Sequence, residues 1–213
     1  MTTLILVRHG ESTANRQRIF AGHYDAELQD RGLEQAKKTA EYIVENYKID
    51  KVYASDLKRA YVTGKCTADL AGVEIVPDKA LREIRAGKWD GMKFDDIITT
   101  YPDDYGVWMN DIGKARATDG ESVAELCERV MGKLTEIAME NDGKTIVVAT
   151  HATPIRVIQS TVQTGSLDEM KNVPWVSNAS VSVLEYNNGK WEFKLISEDK
   201  HLGEISTSLP KSV

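Results

Sequence analysis

The chain has 213 residues, 41% of them apolar and 28% charged, with 27 Lys plus Arg against 33 Asp plus Glu, a net charge of -6. That length suffices for one buried core without disulfides or metals, and the composition excludes disordered and fibrous classes. The acidic balance argues against a broad nucleic-acid or anionic-membrane partner, which needs a basic face. No apolar run approaches the roughly 20 residues that span a bilayer. The opening stretch, Leu4 to Val7, is too short for the hydrophobic region of an export signal, so a cytoplasmic protein is expected. Cys66 and Cys127 both fall in helical patterns and are expected as small core residues rather than a bridge.

In chain order, Thr3 to Val7 is a short, branched, wholly apolar run, as a buried parallel strand requires. From Leu33 the apolar positions Ala36, Ala40, Ile43, Val44 and Tyr47 have helical spacing, with Asp30 as the expected cap. Lys51 to Ala54 reads as a strand. Ser55-Asp56 is expected to cap a helix that runs to Ala71 and stops at Gly72, before a strand at Val73 to Val76. Residues 82 to 120 are the least regular part. There we expect one or two short helices lying over the sheet, with Trp89, Phe94, Tyr101, Tyr105 and Trp108 more simply core than recognition surface.

Ser122-x-x-Glu125 is a capping box that opens an amphipathic helix ending at Asn141-Asp142-Gly143. Thr145 to Ala149 is a second buried-type strand, and Thr153-Pro154 is a good N-cap and first position for the helix after it. Ser180 to Tyr186 and Trp191 to Ile196 flank Asn187-Asn188-Gly189, a hairpin signal. The expected fold is therefore α/β, with a mixed, mostly parallel sheet. A single domain over residues 1–213 is the simplest organisation, with a helical and irregular cap insertion around 84–120.

Chemistry-bearing residues follow the strands. Arg8-His9-Gly10 follows the first, Arg59 lies in the first turn of the helix after the second, and His151 follows the Thr145–Ala149 strand. Ligands of open α/β sheets bind beyond the carboxyl ends of parallel strands, where helix N-termini add positive potential. Two histidines and two arginines brought together there suit an anion, phosphate first among them. No Walker glycine loop of the form Gly-x-x-x-x-Gly-Lys-Ser/Thr is present, and neither cysteine precedes an arginine loop. A histidine held neutral can itself attack phosphorus, provided that cations hold the non-bridging oxygens and a carboxyl group serves the leaving oxygen.

These residues carry a resemblance. Leu6-Val7-Arg8-His9-Gly10-Glu11-Ser12-x-x-Asn15 resembles the signature of the histidine phosphatase superfamily, which includes the cofactor-dependent phosphoglycerate mutases. Five further blocks follow in the family's order: Gly22-x-x-Asp25-x-x-Leu28-x-x-x-Gly32; Ser55-Asp56-Leu57-x-Arg59-Ala60-x-x-Thr63; Leu81-x-Glu83 with Gly87-x-Trp89-Asp90-Gly91; Gly120-Glu121-Ser122; and Ala149-Thr150-His151.

The resemblance implies a three-layer αβα fold and a phosphomonoesterase needing no metal and no cofactor. His9 matches the nucleophile that becomes phosphohistidine. Arg8, Arg59 and His151 match the groups that hold the phosphoryl oxygens, and Glu83 matches the proton donor and later base. From the residues alone Glu11 and Glu74 rival Glu83, and only the block match selects it. Asn15, Gly22 and Ala152 are expected beside the substrate; Ala152 stands where the family usually has Gly, and its methyl group would crowd the phosphate or restrict the backbone.

The implied partner is a small phosphorylated substrate, with no nucleic acid and no membrane, and the resemblance admits a homodimer. A phosphoglycerate mutase is the rival reading. Such an enzyme wants extra basic residues after the acid/base glutamate, whereas Arg85, Lys88, Lys93, Lys114 and Arg116 are scattered among acids here, so the phosphatase branch is favoured. A non-catalytic phospholigand binder is the more distant alternative, disfavoured because every catalytic position holds a competent residue. Discrimination among substrates is expected from residues 84 to 120 and from the surroundings of His23 and Tyr24; His23 and His201 themselves are expected to play no part, save that His23 could stand at the substrate rim.

Overall fold

The computed structural model describes residues 1–207. Six strands, β1 (Thr2–Arg8), β2 (Lys51–Ala54), β3 (Ile75–Pro77), β4 (Thr145–Thr150), β5 (Val181–Asn187) and β6 (Lys190–Glu198), form one sheet in the order β3-β2-β4-β1-β5-β6. β4 is parallel to both β1 and β2, and β2 is parallel to β3. β5 and β6 complete the sheet as an antiparallel hairpin, with β5 against β1. Asn188 and Gly189 both take positive φ, 50° and 81°, as a two-residue turn between right-twisted strands requires.

The alternation of side chains along β1 divides the core. Leu4 and Leu6 join Ile146, Val148 and Leu184 on one face. There they meet α6 (Val123–Glu140) through Leu126, Val130, Leu134 and Ile137, and α7 (Ala152–Thr164) through Ile155 and Ile158. Ile5 and Val7 join Val52, Val147 and Val183 on the other, with Ile43 of α2 (Asp30–Asn46) and Ala68 of α3 (Lys58–Ala71). A strand covered on both faces needs apolar residues at consecutive positions, and Leu4 to Val7 supply them. The result is the three-layer arrangement with a mixed sheet.

Several boundaries differ from the sequence reading. Asp30 is the first residue of α2, not its cap; Gln29 holds the N-cap position. α3 starts at Lys58, because the Ser55 and Asp56 side chains are engaged elsewhere, and Asp25 caps the helix across the chain by accepting the Lys58 N–H at 2.7 Å. α7 starts at Ala152 with His151 as N-cap, two residues before the Thr153-Pro154 signal. The strand expected at Val73 forms only from Ile75. Cys66 and Cys127 are unbridged, as expected, but half-buried rather than core. The Ser122 capping box and the left-handed Gly72 at the end of α3 form as read.

Residues 84–120 run as a 3-10 turn (Gly87–Trp89), two short helices, α4 (Phe94–Thr100) and α5 (Pro102–Asn110), and a further 3-10 turn (Ile112–Lys114). Trp89, Tyr105 and Trp108 are buried, and Phe20 from the loop after α1 (Thr13–Gln17) packs edge-on against Trp89, Phe94 and Trp108 at centroid distances of 5.5, 5.8 and 5.2 Å. The acidic pairs Asp95-Asp96 and Asp103-Asp104 stand in the first turns of α4 and α5, where they complement the helix dipoles.

Candidate active site

Parallel pairing brings the carboxyl ends of β1, β4 and β2 together, and with them Arg8-His9, Thr150-His151 and Ser55. The rings of His9 and His151 lie edge to face with centroids 5.2 Å apart. Both are buried, His151 completely and His9 to 5% exposure, and Arg59 at 1% stands with them. Arg8, His9, Asn15, Gly22, Arg59, Glu83 and Ala152 all line one cavity of about 820 Å³. His151 packs directly against His9 at the inner end of this cluster.

The surroundings set proton positions. His9 Nδ1 lies 2.7 Å from the carbonyl of Gly10. A carbonyl only accepts, so Nδ1 carries the proton and Nε2 keeps its lone pair. Burial, and then the charges of Arg59 and Arg8, hold the His9 pKa well below the usual imidazole value, so the ring is neutral at pH 7. His151 is held down by burial and then by Arg59. Its Nε2 is 2.8 Å from Ser55 Oγ.

Arg59 donates to the carbonyls of Gly22 at 2.8 Å and Tyr24 at 2.9 Å, and Arg8 donates to that of Val176. Burial lowers both arginines to about 10, which still leaves them charged at neutral pH. Arg8 Nε, Arg59 Nε and His151 Nδ1 have no hydrogen-bond partner among the described residues. Buried polar groups are seldom left unmatched, and a site built around two guanidinium groups calls for an anionic acceptor that the protein does not supply. The cavity wall carries four arginines (Arg8, Arg18, Arg31, Arg59) and two glutamates (Glu11, Glu83), the reverse of the chain's overall sign.

Glu83 is brought to the same cavity, its carboxyl oxygens accepting the N–H groups of Ile84 at 2.8 Å and Thr153 at 3.2 Å. Of its rivals, Glu11 lies on the cavity wall and Glu74 instead pairs with Lys51. Asn15 closes a capping box with Ser12 and accepts from Asn178 at 3.2 Å. Gly22 takes φ +43°, and a Cβ there would stand 2.5 Å from the Cβ of Ala86. Ala152 is the first residue of a helix, so its backbone is unrestricted by the methyl group, which forms part of the wall.

Among the described residues, no group of three or more His, Cys, Asp or Glu side chains is arranged to hold a metal ion. His23 bonds the Glu83 carbonyl at 3.0 Å, which places it at the site's support rather than its rim. His201 is 2.8 Å from Thr39 Oγ1 and stacks on Tyr42, away from the cavity.

Further residues at the site carry no local sequence signal. Asn178 donates to the His9 carbonyl at 3.0 Å; it precedes β5, and only the antiparallel pairing of β5 with β1 delivers it there. Ser55, expected as a helix cap, instead bonds His151. The cavity is also lined by Phe20, Phe94, Tyr105, Trp108 and Trp175, so Tyr105 and Trp108 of residues 84–120 are both core and lining.

Residues 4–199 match the model of the histidine phosphatase superfamily, branch 1. The chain belongs to this superfamily. It is 31% identical to Phosphoserine phosphatase 1 of Hydrogenobacter thermophilus, with 100% of both chains covered. It is 32% identical to Phosphoglycerate mutase-like protein 4 of Arabidopsis thaliana over 94% of this chain and 87% of that one. Among solved structures, Bacillus stearothermophilus YhfR superposes with a TM-score of 0.90 at 24% identity, covering 95% of this chain and 100% of that chain; this likeness concerns the fold. Within the superfamily the chain is a phosphoric monoester hydrolase.

Proposed function

We propose that the protein hydrolyses a small phosphorylated metabolite without a metal, through a phosphohistidine on His9. The observation that carries this reading is the Nδ1–Gly10 bond on a buried, neutral imidazole, which leaves Nε2 as a nucleophile in the field of Arg8 and Arg59. In the first step, Nε2 attacks phosphorus and the ester P–O bond breaks. The Glu83 carboxyl group gives its proton to the leaving oxygen, while Arg8, Arg59 and His151 hold the three non-bridging oxygens. In the second, the Glu83 carboxylate takes a proton from a water whose oxygen attacks phosphorus. The P–N bond breaks, and phosphate leaves with His9 neutral again.

The organic part of the substrate lies against the Phe94–Trp108 wall, under the cap formed by residues 84–120 of a single catalytic domain. The 31% identity to a relative named as a phosphatase, over the full length of both chains, supports hydrolysis over phosphoglycerate mutation. Phosphoserine, the compound named for the Hydrogenobacter relative, is the first to test. The two unbridged cysteines suit a reducing, cytoplasmic setting. The test is hydrolysis of phosphoserine and of an aryl phosphate in EDTA, by wild type and His9→Ala. Activity that survives chelation and is lost with His9 supports the reading. Activity abolished by EDTA, or retained by His9→Ala, overturns it.

A further inference from the structure

The block Gly120-Glu121-Ser122 has no part in the chemistry described so far, yet its glutamate is buried to 9% exposure. Its carboxylate takes Arg129 of α6 in a two-pronged pair, with Nε at 2.9 Å and Nη2 at 2.8 Å. The far side of the same guanidinium donates to three main-chain carbonyls: Ala80 at 2.8 Å, Arg82 at 3.1 Å and Glu83 at 3.3 Å. Glu121 completes the bracket, its Oε2 accepting the Arg85 N–H at 3.0 Å and its own N–H donating to the Arg85 carbonyl at 2.8 Å.

Residues 82–86 have no helix or strand of their own, so their orientation depends on such bonds. We propose that Arg129, aligned by Glu121, is a positioning residue that holds Glu83 at the angle required for proton transfer to the leaving group. This rests on the acid/base role given to Glu83 above. The planar five-donor fork of arginine is what permits one side chain to bind a carboxylate and three carbonyls together, and lysine cannot reproduce it.

A misplaced general acid has a distinctive consequence. An alkoxide leaving group needs the proton, whereas a dinitrophenolate departs without it. The measurement is kcat/KM, which reports steps up to phosphoryl transfer to His9, for phosphoserine and for 2,4-dinitrophenyl phosphate. For Arg129→Lys we expect a loss of about tenfold or more on phosphoserine, inside the roughly 10²–10⁴-fold contribution of acid catalysis, and little loss on the dinitrophenyl ester.

In the Glu83→Gln background, Arg129→Lys should cost nothing further on phosphoserine. Retained stabilisation by inorganic phosphate verifies the phosphoryl site in each variant. Should Arg129→Lys fail to fold, Glu121→Gln, which keeps the shape and weakens the grip, carries the same test. Equal losses on both esters, no loss on either, or full additivity with Glu83→Gln would overturn the proposal. A wild-type protein that hydrolyses neither ester would instead overturn the phosphatase reading on which it rests.

Discussion

His9 and His151 stand edge to face, 5.2 Å between centroids and 62° between planes, at the carboxyl ends of the adjacent parallel strands β1 and β4. Two cationic imidazoles so close to Arg8 and Arg59 would repel strongly, and burial adds to the penalty on the charged forms. Both rings are therefore neutral in the free protein at physiological pH.

This has a pH signature. The unfolded chain titrates its imidazoles near 6.5. Folded, these two titrate lower. Between the folded and unfolded values the unfolded state binds more protons, so stability is full above about 6.5 and declines as pH falls, by up to about 1.4 kcal/mol per pH unit for each histidine. The decline ceases below the folded values. Calorimetric unfolding between pH 7 and 5 should show it, and His9→Gln or His151→Gln should flatten the slope. The acid limb of kcat/KM should correspondingly lie below the ordinary imidazole range; a limb at 6.5 or above would be inconsistent with a neutral, buried His9.

Arg59 contributes charge in a fixed geometry, anchored on the carbonyls of Gly22 and Tyr24. Arg59→Lys keeps the charge and loses the fork. We expect kcat/KM to fall by about 10²–10³-fold, the usual loss for one oxyanion donor. Steady-state kinetics on the folded variant checks this.

His151 Nδ1 has no partner among the described residues, and its proposed role on the phosphoryl group requires it to donate. With the proton on Nδ1, Nε2 accepts from the Ser55 hydroxyl at 2.8 Å, whose oxygen also accepts the Leu57 N–H at 3.3 Å. Ser55→Ala removes that constraint at a fully buried position. A loss of about tenfold in kcat/KM, equivalent to about 1.4 kcal/mol, is expected, together with a change in the His151 tautomer seen by nitrogen-15 NMR. An unchanged tautomer would refute the assignment.

Gly32, in the first turn of α2, approaches the loop after β1 so closely that a Cβ would stand 2.0 Å from the Glu11 carbonyl oxygen. Backbone cannot yield as a side-chain end can. Gly32→Ala should cost about 1–3 kcal/mol or more in denaturant unfolding, and should disturb His9 through Gly10.

Leu4–Val7 and Thr145–Ala149 reveal their strands because burial on both faces leaves a continuous apolar run, and Ser122 with Glu125 reveals a helix start because its partners are local. Each resemblance block marks a contact in the folded chain: Asp25 caps α3, Gly32 lies under Glu11, Asp90 accepts the Tyr24 N–H, and Thr150 bonds the Leu81 carbonyl at 2.7 Å beside Glu83. Asn178, the Ser55–His151 bond and Arg129 leave no local pattern, since their partners lie 169, 96 and 46 residues away. Ser55 and Asp56 mislead for the same reason: their side chains serve His151 and Arg82 instead of a helix end.

In the proposed mechanism phosphorus bonds covalently to His9, and trapping that phosphohistidine is the decisive experiment. Glu83→Gln should form it from 2,4-dinitrophenyl phosphate, which needs no proton donor, and should hydrolyse it slowly for want of a base. Quenching in alkali, where phosphohistidine survives, followed by peptide mass spectrometry, should find the phosphoryl group on the peptide containing His9 and none in His9→Ala/Glu83→Gln. A phosphoryl group on another residue, or turnover of the ester with no covalent phosphoprotein at any time, would contradict the account.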